Sequence, residues 1–106
     1  MQFTIATIAI AAFALNAAAW EFSFSDTPGC LFTGDTVASG NGNQACTAVT
    51  AGDDDDHVDI TGLGNCIISF YEDAGCSLAL DYDAFDEDDC EEFEGYRPAA
   101  FDVTQC

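Results

Sequence analysis

Apolar and polar side chains alternate along much of the chain, with the two-residue period of half-buried β-strands. Trp20, Phe22 and Phe24 alternate with Glu21, Ser23 and Ser25, Val58 and Ile60 flank Asp59, and Phe101 and Val103 flank Asp102. Leu78, Leu80 and Tyr82 alternate with Ser77, Ala79 and Asp81, which predicts a further strand with those three side chains turned inward. Turn formers separate the runs: Thr27-Pro28-Gly29, Gly40-Asn41-Gly42-Asn43, Gly62-Leu63-Gly64-Asn65 and residues 95–98. No helical period emerges beyond residue 20, and only residues 86–94 are compatible with one short helical turn. About eight short strands result, an all-β arrangement in two layers.

Residues 1–19 break the pattern. They carry no charged side chain and are apolar all round from residue 3 to residue 15, the length of a signal-peptide core and short of the roughly 20 residues that cross a bilayer. Ala17, Ala18 and Ala19 supply the small residues that signal peptidase accepts. Cleavage is predicted after Ala19, leaving a single domain over residues 20–106, secreted and extracellular, with no membrane insertion. No Asn-x-Ser/Thr acceptor occurs, so N-glycosylation is not predicted.

That domain repeats itself. Residues 22–30, FSFSDTPGC, align with residues 68–76, ISFYEDAGC, pairing Ser23 with Ser69, Phe24 with Phe70, Gly29 with Gly75 and Cys30 with Cys76. Later in each half, Val58-Asp59-Ile60-Thr61 precedes Cys66 as Phe101-Asp102-Val103-Thr104 precedes Cys106. Repeat A spans about residues 22–66 and repeat B about residues 67–106.

Each repeat holds three of the six cysteines, Cys30, Cys46 and Cys66 in one and Cys76, Cys90 and Cys106 in the other. An even number in a short secreted chain reads as disulfides, and the wide spacings lack the close pairs of a zinc site. A domain of this size buries only about 60% of its unfolded surface, so such staples are needed. Six cysteines allow fifteen pairings. Two-fold symmetry of the repeats favours Cys30 with Cys46, Cys76 with Cys90, and Cys66 with Cys106.

Charge narrows the function classes. The chain has 20 acidic residues, a single Lys or Arg, and a net charge of −19. Nucleic acid is excluded as a partner, because nothing could neutralise its phosphates, and so is the cationic, membrane-disrupting mode of small toxins. The natural counterpart is a basic extracellular protein or cell-surface component. His57 is the only imidazole, and no G-x-S-x-G or paired-His motif accompanies it. Close carboxylate pairs are unavoidable among so many acids and do not by themselves mark a glycosidase. The tract at residues 81–92 imitates an EF-hand at Asp81, Asp83 and Glu92 but has Phe85 and Asp86 where a ligand and the turn glycine belong. The run Asp53-Asp54-Asp55-Asp56 is of the oxygen-rich kind that hard cations take, or else a solvated loop.

Repeat B resembles a βγ-crystallin motif. Residues 68–75, ISFYEDAG, look like the first strand and folded hairpin of that family, and Ala100-Phe101-Asp102-Val103 looks like its closing strand. The resemblance implies two pseudo-symmetric Greek keys forming a disulfide-stapled sandwich. It departs where the family has a second aromatic and a glycine, for here stand Cys76 and Leu78, and Cys30 and Phe32. The family's calcium sites would fall at Asp53 and Asp56 in repeat A, whereas repeat B offers Gly95 and Tyr96, then Ala99 and Ala100, and lacks the signature. The general layout is also similar to small cysteine-rich secreted proteins of filamentous fungi, some of them effectors or killer-toxin-like. The expectation is a monomeric, non-enzymatic binding or effector-type module acting through acidic loops and needing no cofactor. A calcium-binding structural protein is the alternative.

Overall fold

The structure, a computed structural model, describes residues 19–106. The predicted signal peptide lies outside the described residues except for Ala19. Eight strands follow in order: β1 (Trp20–Ser25), β2 (Ala38–Gly40), β3 (Gln44–Ala48), β4 (His57–Thr61), β5 (Ile67–Tyr71), β6 (Tyr82–Phe85), β7 (Asp89–Glu92) and β8 (Ala100–Thr104). The only helical element among them is a 3-10 turn at Pro28–Cys30. The described residues are all-β.

Two four-stranded sheets form, in the orders β2-β1-β4-β7 and β3-β8-β5-β6, and every named pairing is antiparallel. The two halves of the chain, β1 to β4 and β5 to β8, are arranged alike, but each gives its third strand to the other's sheet. β7 completes the sheet of the first half and β3 that of the second. Joints flanking the exchanged strands match: Phe93 N–H donates to the Asp56 carbonyl and Val49 N–H to the Ala99 carbonyl, both at 2.9 Å.

The alternation read from sequence places the core. Phe22 stands opposite Ile60 and Phe24 opposite Val58, while Phe70 stands opposite Phe101 and Ile68 opposite Val103. All eight are buried, and Ser23, Asp59, Ser69 and Asp102 occupy the opposite parity. Between the sheets the rings meet edge to face, Phe22 against Phe70 at 4.9 Å and against Phe101 at 5.0 Å, and Trp20 against Phe101 at 5.7 Å. Edge-to-face pairs add about 0.5 to 1.5 kcal/mol each beyond their buried area.

Two predicted elements differ. Leu78 and Leu80 do not turn inward: they lie in the loop before β6, 67% and 50% exposed, and Tyr82 is exposed as well. The strand begins only at Tyr82, and its register sets Asp83 opposite Phe70 and Phe85 opposite Ile68, so the inward phase is one residue off. Phe85 then packs partly buried on the core. Residues 86–94 hold no helical turn. Their central residues form β7, with Cys90 opposite Asp59, which supplies hydrogen bonds to the second edge of β4. A helix there would stack like charges one turn apart, an added cost.

All six cysteines are bonded, as expected, and Cys66–Cys106 forms as expected. The other two predicted pairs, Cys30 with Cys46 and Cys76 with Cys90, are replaced by Cys30–Cys90 and Cys46–Cys76. The strand exchange is the reason, because Cys90 and Cys46 sit on β7 and β3, the strands that join the opposite sheet. Symmetry nevertheless holds: exchanging the halves turns Cys30–Cys90 into Cys76–Cys46 and leaves Cys66–Cys106 unchanged. Cys30 and Cys76 share a positive φ, 52° and 57°, and each donates its N–H three residues back, to Thr27 and Asp73.

Candidate functional site

The aspartate run makes a tight loop rather than a nest of free carboxylates. Asp55 Oδ2 accepts from its own loop at Gly52 N–H, 2.9 Å away, and Asp56 N–H donates to the Asp54 carbonyl. His57 Nδ1 lies 2.8 Å from Asp56 Oδ1, so the ring donates there, and that bond holds the Asp56 carboxyl below the usual carboxylate range. Arg97 Nε donates to the Gly52 carbonyl at 3.1 Å, bringing the chain's single arginine onto this loop.

Asp53 is exposed at the start of the turn, and Asp56 is engaged with His57. Among the described residues no group of three or more His, Cys, Asp or Glu side chains is placed to hold a metal ion. His57 itself is buried at the start of β4, paired with Ser25 on one side and Glu92 on the other.

The larger acidic feature is made by β6, β7 and the segment that joins them, which places an edge strand in each of the two sheets. Nine of the fourteen residues from 81 to 94 are Asp or Glu, whereas residues 36–52, which include the equivalent strands β2 and β3, carry no charged side chain. The symmetric scaffold therefore has one neutral edge and one acidic edge. Register explains how so many carboxylates are tolerated in two short strands. Asp83 shares the inward parity of Phe70, and the Tyr96 hydroxyl meets it at 2.7 Å. Burial, then the Asp83 carboxylate, pushes the Tyr96 phenol well above its ordinary value. Asp88 ties the β6–β7 connection to the β4–β5 turn, its two oxygens accepting from Gly62 and Leu63 N–H at 2.9 Å each. Glu91 stands opposite Val58, and burial, reinforced by Asp89, Asp83 and Glu87, pushes its carboxyl up. Asp86, Glu87, Asp89, Glu92 and Glu94 are exposed.

A shallow depression of about 410 Å³ lies between the start of β1 and the turn after β2, with Glu21, Ser39 and Asn41 as its polar side chains. Sequence reasoning located the acidic tracts but missed that the second one supplies an edge strand to each sheet. The signal was present in the repeat, since Cys90 falls where Cys46 does, in the third strand of its half. Comparison of the chain with protein-family models, with curated sequences and with solved structures returns no match.

Proposed function

We propose that this chain is a secreted, non-enzymatic binding module whose acidic β6–β7 edge meets a basic protein or cell-surface component. One observation carries the proposal: on two halves of like arrangement, the second and third strands of one half are neutral, whereas those of the other lie in a carboxylate-rich tract. Packing alone does not call for that difference, since β3 and β7 occupy equivalent edge places in the two sheets. Three disulfides suit an oxidising extracellular setting. The exchange of β3 and β7 supports a βγ-crystallin-like reading of the two halves as paired Greek keys.

Steering by opposite charge acts mainly on association rate and weakens with salt. Binding of a Lys-rich peptide should therefore fall by about tenfold between low and physiological ionic strength. Charge-neutralising Asn and Gln substitutions at Asp86, Glu87, Asp89 and Glu92 should remove most of it. Salt-insensitive binding, or full binding by that variant, would rule the proposal out.

A further inference from the structure

The large apolar side chains left exposed gather in two equivalent loops, Leu31, Phe32 and Val37 between β1 and β2, and Leu78 and Leu80 between β5 and β6 next to Tyr82. Scattered exposed leucines are ordinary on protein surfaces. Leu31 and Phe32 are different: they are adjacent, 76% and 72% exposed, and carried by a backbone that is fixed on every side.

The Phe32 carbonyl accepts from Ser25 Oγ at 2.7 Å, and its N–H donates to Thr27 Oγ1 at 3.1 Å. Ser25 is itself buried and also accepts from Thr27 N–H. One residue on, Thr33 bridges back to Ser25, and Gly34 N–H donates to the Phe24 carbonyl. One residue before the pair, Cys30 is bonded to Cys90. An aromatic and an aliphatic side chain carried on so fixed a backbone are pre-organised for association, because little loop ordering remains to oppose binding.

The same disulfide decides the occupant. It fastens the apolar pair to β7, where Asp89 and Glu92 are exposed on either side of Cys90 and Glu91. Building on the acidic-module reading above, we infer that Leu31 and Phe32 are the apolar anchor of that module. With β7 as the charged rim, the surface takes a protein segment that is apolar on one face and rich in Lys or Arg on the other.

The test uses the oxidised protein and two synthetic peptides of equal length and charge, one alternating Leu with Lys and one alternating Ser with Lys. The Leu/Lys peptide should bind about tenfold more tightly or better, the scale of an interface anchor. Leu31→Ser with Phe32→Ser should abolish that preference while leaving the Ser/Lys affinity and the melting temperature unchanged. Phe32→Leu should keep the preference, and Leu78→Ser with Leu80→Ser should not alter it.

Equal affinity for the two peptides would overturn the anchor, as would a preference that survives in the Leu31/Phe32 variant or is lost in the Leu78/Leu80 variant. Phe32-dependent binding to phosphatidylcholine vesicles would overturn the choice of a protein partner. Failure of both peptides to bind at low salt would instead bring down the acidic module itself.

Discussion

Gly40 makes room for the indole of Trp20. A β-carbon there would stand 2.6 Å from the ring, and Trp20 Nε1 donates across it to the Gly42 carbonyl at 2.8 Å. Gly40→Ala should therefore destabilise the fold by about 1 to 3 kcal/mol through overpacking, read by urea unfolding with Trp20 fluorescence. From sequence alone Gly40 belonged to a run of turn formers; it ends a strand instead, and its smallness serves packing, which depends on a partner twenty residues away. Ser25→Ala should cost about 1 to 3 kcal/mol, because it strips buried partners from Thr27 and Phe32. Glu91 gives a pH dependence of definite sign. Its carboxyl is raised in the folded state, so its stabilising contribution is full below the ordinary glutamate value and is lost as pH rises through the higher folded value. Glu91→Gln should raise the melting temperature at neutral pH and flatten its rise on acidification.

Among the elements, the most central strands were the most legible. β1, β4 and β8 alternate because each has one face on the core and the other away from it, whereas β5 is buried from Ile68 to Tyr71 and was legible through its match to β1 in the repeat. β6 and β7 escaped because their alternation is written in carboxylates: Asp83 and Glu91 occupy inward parities that sequence patterning assigns to apolar residues. Disulfide partners were hidden for a topological reason, since a strand that joins the opposite sheet carries its cysteine with it. The acidic site was legible as composition and illegible as place, for the loop that reaches β7 through Cys30 lies 60 residues earlier. Replacing Cys30 and Cys90 by Ala should cost about 4 kcal/mol on the chain-entropy estimate for that separation. Guanidinium unfolding of the double variant measures it, and non-reducing peptide maps should recover the Cys46–Cys76 and Cys66–Cys106 links.

At the scale of the molecule, a net charge of −19 works against compactness. Added salt at neutral pH should raise the melting temperature, and so should mild acidification to about the carboxylate range, the same direction that Glu91 contributes. Calorimetric scans over pH and sodium chloride would show both trends, and a melting temperature indifferent to salt would contradict the account. The exchanged third strands carry a last consequence, for the ancestry of the chain. Neither half closes its own sheet or pairs its own first two cysteines. Two identical copies of one half, each lending its third strand to the other, would rebuild the whole sandwich with both crossed bridges and the symmetric third. A homodimer of half-length chains is therefore the simplest predecessor of this protein, and tandem fusion of its gene the simplest route to it. Joined in one chain, two such halves need not be identical, and here one edge is acidic while the other is neutral.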